Sequence, residues 1–296
     1  MDPSEARRAA GAGRSTASAL GLQVDDAVVI HNTGRIALRL VPCDVLARVQ
    51  PASMPESWAQ FEVEVARRLG ETDSPVGALE PRVEPRVYVR DDFAVTLWTY
   101  YEPVPPSDIA PADYAHALIR LHAGYRQIDL EAPDLTGRIA RCAEEVGDRE
   151  LSPELADADR EFLGDTLSDL RATFSSGDTS EHLLHGEPHP GNLLSTRIGP
   201  LFVDLGGCCR GPVEFDLVHA PEQVAEHYPG INQDLIHQCR ILMWVFLTNC
   251  RWGRDDQLPN RDYWRVEGLN QLRAALEGRG NNLADVYEVD HGIDDQ

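Results

Sequence analysis

The spacing of apolar residues changes once along this chain, and the change limits the folds open to it. The first third alternates, as strands with one covered face do. Ala27 to His31, Arg35 to Val41 and Val45 to Val49 are short β-rich runs, with a turn signal at Asn32-Thr33-Gly34. Arg86 to Arg90 and Phe93 to Tyr100 continue the pattern on either side of Asp91-Asp92. One helical run interrupts it: Trp58, Phe61, Val65 and Leu69 share a face, and Gly70 closes the run that begins at Glu56. Beyond Pro103, Pro105 and Pro106 the helical period takes over. Asp113 to Tyr125 is one such helix. Ser152-Pro153-Glu154 predicts the start of another that runs to about Phe174. Segments near 214–226, 232–252 and 261–277 are expected to be helical as well. Residues 4–20 are alanine-rich, but Gly11 and Gly13 make a helix there marginal. The tail from Gly278 to Gln296 is polar and acidic and is expected to be loose. The layout is α+β: an antiparallel meander with one helix in residues 1–101, a helical lobe in 102–280, and an acidic tail in 281–296.

Charge narrows the chemistry. All 27 basic residues are arginine, against 49 acidic ones, for a net charge of −22. Without a lysine, Schiff-base chemistry is excluded, and any phosphate clamp must be built from guanidinium. So negative a surface repels nucleic acid and favours a cationic small ligand. The 6 cysteines include no C-x-x-C pair, and the first residues lack the apolar core of a secretory signal, so reduced, cytoplasmic thiols are expected. Leu235 to Cys250 is the most apolar helical candidate. It contains Arg240 and falls short of the roughly 20 apolar residues of a membrane span, so it reads as a core helix and no membrane partner is expected. Nothing in the sequence sets the oligomeric state.

Within the helical part lies a stretch that cannot be helix. His185-Gly186-Glu187-Pro188-His189-Pro190-Gly191-Asn192 holds two prolines and two glycines in eight residues. The same residues argue against an H-E-x-x-H type zinc site, which needs a helix to align its histidines. Leu193-Leu194 and Leu201 to Val203 then flank Ile198-Gly199-Pro200 as a small hairpin, which leads to Asp204. Glu187, Asn192 and Asp204 are two carboxylates and a carboxamide on a loop and a strand end. Such a set suits a hard cation such as Mg²⁺ and leaves one carboxylate to orient or deprotonate a hydroxyl. Those are the parts that phosphoryl transfer requires.

The two segments HGEPHPGN and FVDLGGCCRGPVEFDL resemble the catalytic loop and metal-binding segment of the aminoglycoside phosphotransferase family, whose fold is similar to that of protein kinases. His185, Gly186 and Asn192 match the family loop, while Glu187 stands where the family has its catalytic aspartate. Asp204 matches the metal-binding aspartate, and Asp216 the residue that buttresses the loop. Leu121-His122 resembles the leucine–histidine pair of the first large-lobe helix. The resemblance implies that Arg48, in Val45 to Val49, occupies the phosphate-clamp position usually held by lysine. Its helix partner would be Glu62, with Glu64 as the competing candidate. The resemblance also places the turn Asn32, Thr33 and Gly34 over the phosphates and Tyr100 in the adenine-binding hinge. It implies a bilobal kinase-like fold that binds ATP or GTP with Mg²⁺ and phosphorylates a hydroxyl of a small acceptor: an aminoglycoside, another antibiotic, a sugar or an amino alcohol. Two departures frame the alternative, a catalytically weak nucleotide-binding or regulatory pseudokinase. Glutamate at 187 displaces the carboxylate by about 1–1.5 Å, on a scale where 1 Å costs ~10²-fold in rate. The phosphate-covering turn also has only one glycine.

Overall fold

The computed structural model describes residues 1–104, 109–175, 181–256, 258 and 260–279. The acidic tail and two of the connector prolines, Pro105 and Pro106, lie outside them. In chain order the elements are α1 (Pro3–Ala19), β1 (Val24–Thr33), β2 (Arg35–Pro42), β3 (Val45–Pro51), α2 (Glu56–Leu69), β4 (Tyr88–Arg90), β5 (Phe93–Thr99) and α3 (Pro111–Tyr125). They continue with α4 (Leu135–Gly147), α5 (Asp157–Phe174), β6 (His182–Leu184), β7 (Leu193–Thr196), β8 (Gly199–Phe202) and β9 (Cys209–Gly211). The last are α6 (Val213–Leu217), α7 (Glu222–Ala225), α8 (Gln233–Trp252) and α9 (Arg261–Leu276). The chain forms two compact units. The first gathers Met1–Ile109, Ala123–Ile128 and Leu193–Gly207; the second gathers Ala110–His122, Asp129–Asn192 and the residues from Cys208 on.

The first unit is built on an antiparallel sheet of five strands in the order β1-β2-β3-β5-β4. Alternation decides which face each side chain takes. Ile36, Leu38 and Leu40 of β2 and Val45, Ala47 and Val49 of β3 are buried in one cluster with Ala9, Ala12 and Ala17 of α1. Arg35 and Arg48 fall on the other set of positions. Helix α1 forms in full despite its glycines. Asp2 caps it by accepting from the Ser4 and Glu5 amides at 2.7 and 3.0 Å. Gly13 is a packing residue: a Cβ there would meet Leu38 Cδ1 at 3.1 Å and Val49 Cγ2 at 3.3 Å. The glycine that weakens the helix in isolation is what lets it lie close to the sheet. The β7–β8 hairpin joins this unit through backbone bonds from Gly77 to the Phe202 carbonyl (2.8 Å) and from Phe202 to the Pro75 carbonyl (2.8 Å).

The second unit is mostly helical, and here two expectations need correction. The helix foreseen from Ser152 begins at Asp157. The Ser152 hydroxyl donates to the carbonyls of Glu145 and Asp148, both at 3.0 Å, so it closes the end of α4 instead of opening α5. The segment 214–226 is two short helices, because Pro221 has no N–H to carry a helix through. Helix α4 was not expected, although Leu135, Ile139, Cys142 and Val146 line its buried face at helical spacing. Nor was the two-stranded ladder of β6 with β9.

His219 packs edge to face on Phe215 at 5.4 Å between ring centroids and is fully buried. Burial lowers its pKa from 6.5 to about 3; Asp216 opposes the shift, while His189, Arg138 and His185 add to it. Because the folded-state value is depressed, the neutral ring contributes stability above pH 6.5 that drains away as pH falls toward 3. About 2 kcal/mol is expected to be lost from this residue by pH 5. Urea unfolding at pH 7 and pH 5 should therefore show a smaller pH penalty in His219→Phe than in the wild type. Equal penalties would contradict this assignment.

Candidate functional site

The functional groups fall into two sets, one in each unit. In the first unit β3 carries Arg48 opposite Ala37 of β2, on the face that α2 covers. Glu62 of α2 is buried there with its side chain 3% exposed. Arg48 Nη1 donates a short hydrogen bond to Glu62 Oε1. Arg48 Nη2 lies 3.0 Å from Asp204 Oδ2. Asp204 follows β8 in a left-handed conformation, φ +60°, which swings its carboxylate away from the strand path. Glu64, the competing helix acid, bonds instead to Arg67 and Arg68 on the exposed side.

One further member of this set carries no motif in the sequence. Arg35, the first residue of β2, donates from Nη2 to both Asp204 oxygens at 2.8 and 2.9 Å and from Nη1 to Glu62 Oε2 at 3.3 Å. Two guanidinium groups and two carboxylates thus form a closed ring with no net charge. The signal for Arg35 was present in the alternation. It shares a strand face with Arg48 and sits two residues from Arg48's cross-strand partner, within diagonal reach. Burial pushes the Glu62 carboxyl up, and the Asp204 charge adds to this, against Arg48 and Arg35. Burial alone would also raise Asp204, but Arg48 and Arg35 outweigh it and hold that carboxyl well below the usual carboxylate range.

The remaining expected nucleotide contacts of this unit are more varied. Gly34 turns the chain between β1 and β2 with φ +77°, a conformation that favours glycine. Thr33 pairs with Arg35 across that turn. The Asn32 side chain exchanges two bonds of 3.1 Å with Met1, so its amide is held by the start of α1's segment. Tyr100 lies under the Arg39 guanidinium, 4.2 Å from ring centroid to carbon. Trp98, by contrast, is a core residue whose Nε1 donates to Thr96 at 2.9 Å.

In the second unit the irregular loop is held from below. Gly186 takes φ +87°, and the backbone amides of His185 and Gly186 donate to Asp216 at 2.9 and 2.8 Å. Asp216 is fully buried and also bonds His122 Nε2 at 2.8 Å, whose Nδ1 reaches the Tyr228 hydroxyl at 2.7 Å. Burial opposes ionisation of Asp216, but the His122 bond and the loop amide of Gly186 prevail and lower its pKa. The loop is also tied internally. The Glu187 amide donates to His185 Nδ1 (3.3 Å), and Asn192 Nδ2 donates to the Glu187 carbonyl (2.9 Å). The Tyr114 hydroxyl makes a short bond to the Pro188 carbonyl. The outcome is that Glu187 is exposed on a loop whose backbone is fixed. Tyr114 and Tyr228 left no trace in the sequence, since both act across long separations without a motif. Among the described residues no cluster of three His, Cys, Asp or Glu side chains is arranged as a metal cage.

A family model described as the phosphotransferase enzyme family matches residues 20–234. The chain belongs to that family, and it is a small-molecule phosphotransferase with a bilobal, protein-kinase-like fold. Among solved structures it is similar to an amicoumacin kinase in complex with AMP-PNP and Ca²⁺, at 10% identity, with a TM-score of 0.67 and coverage of 92% of this chain and 93% of that one. It is also similar to a choline/ethanolamine kinase family protein from Mesorhizobium loti, at 15% identity, TM-score 0.68, covering 94% and 95%. The GDP complex of an aminoglycoside 2'-phosphotransferase-IIIa matches at 15% identity and TM-score 0.63, covering 88% and 96%. No curated protein sequence matches the chain.

Both sets respond predictably to substitution. Asp216→Asn deprives two buried amides of a charged acceptor, so a loss of roughly 2–4 kcal/mol is expected by urea denaturation. Glu62→Ala leaves a mostly buried guanidinium short of a partner and is expected to cost roughly 2–4 kcal/mol in the same assay. A loss under 1 kcal/mol for either variant would show that the network is not a structural necessity.

Proposed function

We propose that this protein transfers the γ-phosphoryl group of ATP, or of GTP, to a hydroxyl of a small acceptor: an aminoglycoside-like compound, a sugar or an amino alcohol. The observation that carries the proposal is the Arg48–Glu62 pair beside Asp204, a guanidinium fixed by a buried acid in a unit rich in strands. Arg48 would steady the α- and β-phosphates by bidentate contact. The turn of Asn32, Thr33 and Gly34 would cover the phosphates, and Tyr100 would lie at the base.

Asp204 and Asn192 would hold a magnesium ion. Asp204 offers a carboxylate, and Asn192 spends its amide nitrogen on the Glu187 carbonyl, which leaves the amide oxygen as the end for a cation. One or two such oxygens plus phosphate oxygens are what Mg²⁺ ordinarily takes. When bound, the ion would neutralise charge on the phosphate oxygens. Glu187 would accept a hydrogen bond from the acceptor hydroxyl and aim it at phosphorus. The fixed loop backbone supports that role, because it gives the Glu187 side chain a constant base. The net charge of −22 favours a cationic acceptor over a nucleic acid. None of the six cysteines stands in a disulfide, which favours a reducing cytoplasmic setting. Among the described residues no helix is long and apolar enough to cross a membrane.

The test is a phosphoryl-transfer screen with labelled ATP and GTP, Mg²⁺ and a panel of hydroxylated amines and sugars. Transfer to at least one acceptor is expected, with a fall of ~10²- to 10⁴-fold in kcat for Glu187→Ala. Glu187→Asp is expected to lose ~10²-fold, because its carboxylate retracts from a loop built around glutamate. The regulatory reading predicts something else: ATP raises the melting temperature, yet neither the wild type nor Glu187→Asp transfers phosphate to any acceptor.

A further inference from the structure

Arg35 stands one residue past the Gly34 turn, and its guanidinium spans both carboxylates of the first unit's ring. The four members of that ring are not equivalent. Glu62 is only 3% exposed, while the side chains of Arg35 and Asp204 are 29% and 32% exposed. The Arg35–Asp204 edge is therefore the one that solvent reaches. Arg48 is anchored to the acid that stays buried. Arg35 makes its shorter contacts, 2.8 and 2.9 Å, to the acid whose oxygens suit a cation.

This arrangement has a consequence for charge. Two guanidinium groups around one carboxylate repel each other unless the anion stays between them. A divalent cation that takes the Asp204 oxygens removes the main partner of Arg35 and adds positive charge beside it. Arg35 then requires a new anion, and a polyphosphate offers paired oxygens that fit the guanidinium fork.

We propose that Arg35 is a second phosphate-binding residue of the nucleotide site, which neutralises Asp204 before nucleotide arrives and pairs with the nucleotide's phosphate oxygens once a cation takes that acid. The inference rests on the nucleotide role proposed above. It implies that without metal Arg35 still serves nucleotide binding, by screening Asp204 from the polyphosphate. It also implies that the metal must compete with a guanidinium for Asp204, which reduces the gain in affinity that metal brings.

The experiment is calorimetric titration of AMP-PNP into the full chain, once in EDTA and once in Mg²⁺, for the wild type, Arg35→Gln and Arg35→Lys. In EDTA, Arg35→Gln is expected to bind about tenfold or more weakly than the wild type, because Asp204 then faces the polyphosphate with one guanidinium fewer to neutralise it. The ratio of its affinities with and without Mg²⁺ should exceed that of the wild type. Arg35→Lys keeps the charge but not the fork, and should recover only part of the metal-free binding; it also serves if the glutamine variant does not fold. Metal-free binding equal to the wild type in the substituted chain, or an unchanged ratio, would overturn the role of Arg35 while leaving nucleotide binding intact. A wild type that binds AMP-PNP in neither buffer would instead remove the nucleotide function, and the role of Arg35 with it.

Discussion

Burying the carboxylate of Glu62 obliges the first unit to supply positive charge from elsewhere, and much of its architecture answers that demand. An ionised acid taken from water without a partner costs several kcal/mol. The compensating groups come from β2 and β3, and they arrive on the right face because the other face is spoken for. Ile36, Leu38, Val45, Ala47 and Val49 fill the core with α1, so Arg35 and Arg48 must point the opposite way, toward α2. A one-residue slip of β3 would send Arg48 into the apolar core and turn Ala47 and Val49 out. Core packing and the orientation of the clamp are therefore a single choice of register. Well-packed apolar side chains in place of such a ring often serve stability as well or better. A ring of ions retained in a solvent-touched position is for that reason better explained by ligand chemistry than by folding.

The second unit solves a different problem with the same economy of charge. Its loop cannot hydrogen-bond as helix or strand, yet its first amides are buried and need acceptors. Asp216 supplies both, and a carboxylate at zero exposure is itself tolerable only because His122 and two amides surround it. Tyr228 then fixes the His122 ring from the far side. Each member satisfies the next, so the backbone that carries Glu187 is positioned through Asp216, His122 and Tyr228 together. The flexible side chain is exposed, while the backbone that carries it is not free to move.

What the sequence disclosed follows from where its signals are local. Strand alternation located β2 and β3, the helical face from Trp58 to Leu69 located α2, and the proline- and glycine-rich loop stood out by composition alone. The motif also pointed to Asp204 and Asp216. Signals that depend on distant partners were silent or misleading. Ser152 looks like a helix cap because its hydroxyl prefers backbone partners, but the carbonyls it meets belong to the helix before it. Gly13 reads as a helix breaker until the sheet beneath it shows why no larger residue fits. Arg35 is the instructive middle case. Its face could be read from β2 alternation, yet nothing local says that Asp204, 169 residues away, is its partner.

The absence of lysine gives these details a common cause. A lysine ammonium is a compact point charge, whereas each guanidinium here reaches two carboxylates through separate nitrogens. Closing a ring of two cations and two anions needs that forked geometry. Guanidinium also stays protonated at any pH at which this fold survives, so the positive charge of the site cannot be switched by losing a proton. Any change of charge pairing there must come from exchange of partners. The partner most open to exchange is the half-exposed Asp204 rather than the buried Glu62, which places the adjustable contact of the ring on Arg35 and the fixed one on Arg48.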